Sequence, residues 1–511
     1  MTGGGCRAAP VGMTGGGCRA ATVGMTGGGC RAATVGMTPS PPVIPTERSE
    51  RRNLSRFTGP SGAPAVRRWR ERSLHSASLR AAPVGMAGGG WWDAAGPLDN
   101  LAGACLESGM TSLEHEKRLH RAVLVDGCRT PFCRSGTALA DMSSYDLGRA
   151  AVAALLHRSG IDPELVELLV MGTVLADPAT SNLGREVVLG SGLPDSCPAY
   201  TVTVACVSSL QSALDCVRSI ETGAVQVAIC AGAETLSDAP IRYRKSVRKR
   251  LIASQKARGT GDYLKLLRGL RLKDLAPEPV ALAEFSTGEI MGENGERLAK
   301  RLGITRRAQD EYALRSHHRA ARATEQGLLA RQIAPLFVRP RFEPLRADNG
   351  VRGDTTLDKL ARLRPAFDRR FGTLTAGNSS YLTDGASALL LMSEEAAERH
   401  GYRPLAVVKS TAVAALDPLE ELLLGPAVTI PKALEAAEIE LGDAGVVEIH
   451  EAFAAQVLAV LQLLEDPEWA RERLGRDEPV GTIDPERLNA WGGSLSVGHP
   501  FGATGGRLLI T

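Results

Sequence analysis

The sequence predicts an α/β protein of two similar halves, the first interrupted by a long insertion. Two observations carry this. From about residue 119, short apolar runs bounded by turn residues alternate with amphipathic stretches, and between 241 and 363 that alternation breaks off before resuming near Arg364. Short apolar runs flanked by turns read as strands buried on both faces, and such strands need helices on each side of the sheet.

Residues 1–115 form a leader. Its first 36 residues are three copies of a twelve-residue unit, MTGGGCRAAPVG followed twice by MTGGGCRAATVG. Three consecutive glycines per unit make backbone ordering costly, and no unit offers an apolar face to stack, so disorder is expected over 1–109. Two readings of the leader stand side by side. Its Arg- and Ser-rich, acid-poor stretch from Arg67 to Arg80 is like an organellar transit peptide. Alternatively the start lies further downstream, since Met110 directly precedes the globular pattern. The second reading implies a cytoplasmic protein, the first a mitochondrial one.

Residues 116–240 open the first half. Ala122 to Val125, Leu168 to Met171 and Val225 to Ile229 are expected strands, and Leu147 to His157 an amphipathic helix. Residues 241–363 are the insertion, basic at its start and helical from Thr305 to Gly327. Residues 364–400 return to the first half through the apolar run Ala388 to Met392. Residues 401–511 make the second half, with expected strands at Leu405 to Val408 and Gly445 to Ile449.

Composition narrows the class. No run reaches the roughly 18 apolar residues that cross a bilayer. The net charge of +3 is too small to argue for nucleic acid. Charge is concentrated instead: residues 241–275 hold twelve Lys and Arg against two Asp. That stretch reads as a solvated surface, as an attractor of phosphate, or as an amphipathic helix through the leucines at 264, 266, 267 and 270. The cysteines show no Cys-x-x-Cys spacing, which argues against a zinc site and against a disulfide framework. No metal is expected. Arg352-Gly353-Asp354 is read as a chance loop tripeptide, and Gly259-Thr260-Gly261 lacks the third glycine of a dinucleotide site.

Three residues could carry chemistry. Cys206 follows the strand-like run Tyr200 to Ala205 and opens a helix marked by Val207, Leu210, Leu214 and Val217, with Gly223 as a C-cap. The helix dipole there is expected to lower the thiol pKa, and free N–H groups to hold an oxyanion. A small buried hydrophobe, as expected for Cys216 and Cys230, is the plain alternative. His450 ends an apolar strand, on the side of a sheet where α/β proteins place ligands, although packed or capping histidines also sit there. His499 lies in a glycine-rich loop from Asn489 to Gly505, suited to a general base or to nothing more than a turn.

The combination Val204-Ala205-Cys206-Val207-Ser208-Ser209, His450-Glu451-Ala452-Phe453 and Gly498-His499-Pro500-Phe501-Gly502-Ala503-Thr504-Gly505 resembles the thiolase superfamily. Within it the chain is most similar to the β subunit of the fatty-acid oxidation trifunctional enzyme and its bacterial relatives. The similarity runs over about 120–511. It takes in Arg129-Thr130-Pro131-Phe132, Glu284 to Gly292, Gln309 to His317, Leu363 to Phe367 and Asn378 to Gly385.

The resemblance implies a thiolase-like fold of two similar halves in a layered α-β-α-β-α arrangement with an inserted loop domain. It implies thiolytic cleavage of 3-oxoacyl-CoA through a Cys206 thioester. His499 would be the base, and His450 with His499 would bind the thioester oxygen. Ser379, Ser380 and Met291 match positions lining the CoA channel. CoA is then a co-substrate and no cofactor is needed. The implied partners are a second copy, or a hydratase/dehydrogenase subunit in an α2β2 complex, with peripheral membrane contact through 242–273.

One departure matters. The family carries a second catalytic cysteine in a Cys-x-Gly-Gly-Gly-like motif beyond the Gly-His-Pro loop, and this chain stops at Thr511, before it. The last strands of the second half are expected to be missing as well. The expectation is a truncated chain that folds poorly and turns over weakly, acylating Cys206 without releasing the acyl group. Two alternatives are weighed against the enzyme: a thiolase-like protein that binds acyl-CoA or a partner, and a β-ketoacyl synthase. The latter would show His-Gly-Thr at His450-Glu451-Ala452.

Overall fold

The computed structural model describes residues 120–278 and 283–511; the leader and its expected disorder lie outside them. Nine strands are assigned among those residues: β1 (Ala122–Arg129), β2 (Cys133–Arg134), β3 (Leu168–Gly172), β4 (Ala199–Val202), β5 (Val227–Glu234), β6 (Leu336–Val338), β7 (Glu343–Leu345), β8 (Thr383–Ser393) and β9 (Ala406–Val407). The main sheet runs β4-β3-β5-β8-β1-β9, with β2 on the side of β8, and β6 and β7 pair separately. Strands β4, β3 and β5 are parallel, whereas β8 runs antiparallel to both β5 and β1. The sheet is therefore mixed, and its centre is a strand delivered from beyond the insertion.

All eleven residues of β8 are buried. Alternation along a strand explains how. Ala388, Leu390 and Met392 enter one apolar cluster with Leu147, Val152 and Val187, while Leu389 and Leu391 enter another with Ala213, Cys216 and Val217. The first cluster is covered by α1 (Ser144–Ser159) and α2 (Leu183–Ser191), the second by α3 (Ser208–Glu221). This is the sandwich that the uninterrupted apolar run predicts. Helix α1 is closed by a capping box between Ser143 and Asp146 and by Gly160 in the left-handed conformation,.

The basic stretch becomes α4 (Lys245–Ser254) and α5 (Thr260–Leu267). Leu251, Ile252, Tyr263, Leu264 and Leu267 on these helices face solvent. Helices α6 (Met291–Arg301) and α7 (Arg306–Glu325) follow, the latter capped by Thr305, whose hydroxyl accepts from Ala308 N–H. The short α8 (Leu357–Ala361) precedes β8, and α9 (Glu394–Arg399) follows it. None of the described helices is long and apolar enough to cross a membrane.

The second half supplies α10 (Gly425–Ala437), α11 (Ala454–Leu464), α12 (Pro467–Trp469), α13 (Ser494–Val497) and α14 (Thr504–Ile510). Leu298 and Tyr312 of the insertion pack with Val457, Val460 and Leu463 in one core. Helix α14 adds Ile510 to the layer of α3. The run Gly445 to Ile449, expected as a strand, makes a single bridge from Val447 to Leu488. A strand persists only where a neighbour continues the ladder, and beyond Val447 N–H to Arg487 O and Asn489 N–H to Val447 O none does among the described residues. The run Leu405 to Val408 likewise shortens to β9, which pairs with β1 of the first half.

Candidate active site

Between the end of β4 and the start of α3 the chain turns sharply. Ala205 adopts φ 44°, a left-handed conformation that a side chain resists,. Neighbouring bonds hold it there: Val207 N–H and Ser208 N–H donate to Val204 O and Ala205 O, both at 3.1 Å. The Ser208 hydroxyl donates to Ala205 O at 2.7 Å and accepts from Val204 N–H at 2.9 Å. Cys206 sits at the tip of this elbow, just before the helix rather than in its first turn.

That placement corrects the expectation for the thiol. Cys206 is half-buried as a residue, yet its thiol is pushed up to about 11, first by desolvation and then by the nearby Glu234 carboxylate. The backbone bond at its own N–H opposes the rise and does not overcome it. The resting group is a thiol, and a base has to take its proton.

His499 is delivered by the glycine-rich loop. Gly498 has φ 105°, and a side chain there would also meet Thr383. His499 N–H donates to the Thr383 hydroxyl at 3.0 Å, which ties the loop to the start of β8. Further on, Gly502 lies directly over Gly232 of β5, where an added Cβ would come within 2.0 Å of the Gly502 oxygen. Gly502 N–H donates to Glu234 and Gly506 N–H to the Ser209 hydroxyl, both at 2.9 Å. The loop of the second half is thus bolted onto β5 and α3, beside Cys206.

His450 follows the Val447 bridge and is oriented by its neighbour Glu451. That buried carboxylate accepts from the Tyr312 hydroxyl, the Ser316 hydroxyl, the Asn489 amide and Leu495 N–H at 2.8 to 3.1 Å. The three side chains then converge. One ligand-capable atom from each of Cys206, His450 and His499 lies within 4.8 Å of the other two, and the two imidazole centroids are 4.0 Å apart.

Hydrogen bonding sets the two rings in opposite tautomers. The Thr504 hydroxyl donates to Pro500 O at 2.9 Å, so toward His499 Nδ1, 2.6 Å away, it accepts. Nδ1 then carries the ring proton, and Nε2, buried and without a protein partner, keeps its lone pair,. At His450 the order reverses. The Ser494 hydroxyl accepts from Arg507 at 3.4 Å and, among the described residues, bonds no acceptor other than His450 Nδ1 at 2.8 Å, so its hydrogen goes to that nitrogen,. His450 Nε2, also buried and unpartnered, becomes the N–H. One ring can receive a proton from Cys206, and the other can donate to an oxygen.

Electrostatics keep both rings uncharged. His450 is lowered to about 3, by desolvation first and the Arg507 guanidinium second. His499 is lowered well below its ordinary value by desolvation, then by His450 and Arg507. Arg507, almost fully buried, is paired with Glu448 at 3.0 Å. Burial lifts Glu448 to about 7 even against that cation. Glu234 is lifted to about 7 by burial, despite accepting from Val174 N–H, Leu175 N–H and Gly502 N–H.

Ser379 forms a bridge with Phe453, and Ser380 N–H donates to Ala452 O at 2.9 Å, so both stand against the segment that follows His450. The Ser379 hydroxyl is buried and unpartnered. Met291, first in α6, packs on the cluster of Leu374, Phe453 and Ala455. Sequence reasoning missed Ser494, Thr504, Arg507, Glu448 and Glu234. Ser494 and Thr504 stood inside the quoted loop, whereas nothing local marks Arg507 or the two glutamates.

Comparison with known proteins identifies the family. The family model "Thiolase, N-terminal domain" matches residues 122–395 and "Thiolase, C-terminal domain" matches 402–511. A 3-ketoacyl-CoA thiolase of Pectobacterium carotovorum subsp. carotovorum is 46% identical over 393 residues, 77% of this chain and 90% of that protein. The mitochondrial trifunctional enzyme subunit beta of Bos taurus is 45% identical over 392 residues, 77% of this chain and 82% of that protein. Among solved structures, human mitochondrial 3-ketoacyl-CoA thiolase in complex with CoA matches with a TM-score of 0.65 at 30% identity, covering 77% of this chain and 90% of that one. The chain belongs to the thiolase family.

Proposed function

We propose that this chain is a 3-ketoacyl-CoA thiolase, an acyltransferase of fatty-acid β-oxidation that cleaves 3-oxoacyl-CoA with CoA to acetyl-CoA and a shortened acyl-CoA. The observation that carries the reading is the meeting of Cys206, His499 and His450 with their tautomers opposed. His499 Nε2 takes the Cys206 thiol proton as sulfur attacks the 3-keto carbon. The negative charge on that oxygen falls to the His450 Nε2–H, joined by His499 Nε2 once it is protonated. The bond between the α and 3-keto carbons then breaks as the 3-keto C=O reforms, its electron pair leaving as the acetyl-CoA enolate. The enolate takes the proton held on His499 Nε2 to become acetyl-CoA, and the shortened acyl group stays on Cys206 as a thioester. A second CoA thiol collects it. Ser379, Ser380 and Met291 line the CoA channel in this reading, the unpartnered Ser379 hydroxyl being free to bond the pantetheine arm.

CoA is the co-substrate, as it is bound in the human structural neighbour. The trifunctional-enzyme relative is a beta subunit, which supports an α-subunit partner; the assembly we propose is a homodimer or an α2β2 complex with a hydratase/dehydrogenase subunit. The exposed apolar residues of α4 and α5 amid their basic neighbours suit peripheral contact with a membrane surface,. One relative is bacterial and the other mitochondrial, so the cytoplasmic and mitochondrial readings of the sequence stand side by side.

Intact-mass spectrometry tests the proposal. Mixing the chain with a 3-oxoacyl-CoA should add the shortened acyl mass to Cys206, and Cys206→Ala should abolish it. Release of acetyl-CoA and transfer to added CoA are read separately, because among the described residues no second cysteine joins the cluster. An unmodified wild-type chain, or an adduct on another residue, would refute the assignment.

A further inference from the structure

We propose that Cys206, His450 and His499 also form a capture site for a thiophilic divalent cation of the zinc type, which silences the enzyme by taking its nucleophile and both imidazoles at once. The ligand set is one sulfur and two nitrogens, all mutually within 4.8 Å. Zinc bonds of about 2.3 Å to sulfur and about 2.0 Å to nitrogen place tetrahedral ligands roughly 3.3–3.6 Å apart. The cluster therefore closes on an ion with side-chain shifts on the order of 1 Å.

Three further features favour a cation there. Both Nε2 atoms are buried and lack any protein partner. Both Nδ1 atoms are already held by hydroxyls, Ser494 at 2.8 Å and Thr504 at 2.6 Å, the outer-shell arrangement that orients a ligating imidazole,. Glu234, a buried carboxyl group, accepts from Gly502 N–H at 2.9 Å in the same loop that carries His499. The fourth position stays open for water or an acyl-CoA oxygen. Sulfur and imidazole select zinc, cobalt and copper over magnesium and calcium.

Binding breaks the Cys206 S–H bond, forms a sulfur–metal bond and sends the proton to solvent. His450 moves its ring proton from Nε2 to Nδ1, and the Ser494 hydroxyl turns to accept it. The metal-binding claim stands apart from the proposed reaction; only the loss of acylation rests on it.

The test is cobalt(II) titration of the full chain after chelator dialysis. One equivalent should produce a thiolate-to-cobalt charge-transfer band with the intense visible bands of four-coordinate cobalt, and zinc should bleach both. Cys206→Ser should remove the charge-transfer band, His450→Asn should weaken cobalt binding by at least about tenfold, and Ser494→Ala should weaken it roughly tenfold. A six-coordinate spectrum, or a charge-transfer band that survives Cys206→Ser, overturns the proposal. Should the cysteine variant fail to fold, alkylation of the wild-type chain decides. Zinc, and not magnesium, must protect Cys206 from iodoacetamide as mapped by peptide mass. An unprotected Cys206 sinks the idea even if turnover has already been shown.

Discussion

Replacing Thr504 by valine tests the tautomer argument most directly. The side chain is fully buried, and valine keeps its shape while removing the one acceptor of His499 Nδ1–H. A buried N–H left unpaired costs about 1–3 kcal/mol. The ring escapes that cost by moving its proton to Nε2, where it faces Cys206 and can no longer act as base. At about 1.4 kcal/mol per factor of ten, the base-competent form becomes roughly 5- to 150-fold rarer. Single-turnover acylation of Cys206, followed by rapid quench and mass spectrometry, should slow by that factor with little change in acyl-CoA affinity. Thr504→Ser restores the hydroxyl and should return most of the rate. A valine variant as fast as wild type, or a serine variant as slow as valine, would show that Thr504 does not set the His499 proton.

Three further outcomes follow from the structure. Because the Cys206 thiol is pushed up to about 11, its iodoacetamide reactivity should climb about tenfold per pH unit from 7 to 10; a plateau at neutral pH would reveal a preformed thiolate instead. Glu234 rises from 4.5 to about 7 on folding, so between those values the folded chain holds a proton that the unfolded chain has released. Its contribution is fully present below pH 4.5 and is lost as pH rises toward 7, a fall on the order of 3 kcal/mol. Unfolding midpoints across that range should slope less in Glu234→Gln, and an unchanged slope would assign the titration elsewhere. Arg129 and Asp348 form a bidentate pair at 2.7 and 2.8 Å, with neither side chain more than 2% exposed. Asp348→Ala strands a buried cation and should cost about 3–5 kcal/mol in denaturant titration; a loss under 1 kcal/mol would mean that water reaches Arg129.

The sheet was legible where a run is apolar on both faces, as in β3, β5 and β8, because such short runs need cover on both sides. The run Gly445 to Ile449 has the same composition but pairs only through Val447, and pairing is a property of the neighbour rather than of the run. At the site, Cys206, His450 and His499 were each visible locally, and the motif combination joined them before their geometry was known. The protonation state of Cys206 was misjudged because the helix begins two residues later than the apolar spacing suggests. Desolvation and Glu234, both products of tertiary packing, then outweigh the dipole. Arg507 and Glu448 left no trace, since one ion pair among many charged residues looks like surface until the chain buries it.

The position of β8 has a consequence for how this chain comes to be folded at all. Strand β8 separates β5 from β1, and Thr130 and Ala386, bonded across that seam, are 256 residues apart. During synthesis β1 and then the parallel trio β3, β4 and β5 leave the ribosome, the trio with one flank open, while the whole insertion is still to be made. Closing so long a loop is entropically slow. Throughout that interval β1 and β5 present unpaired edges able to join the wrong strand. The half-made chain should therefore depend on a chaperone to keep the gap free until β8 arrives.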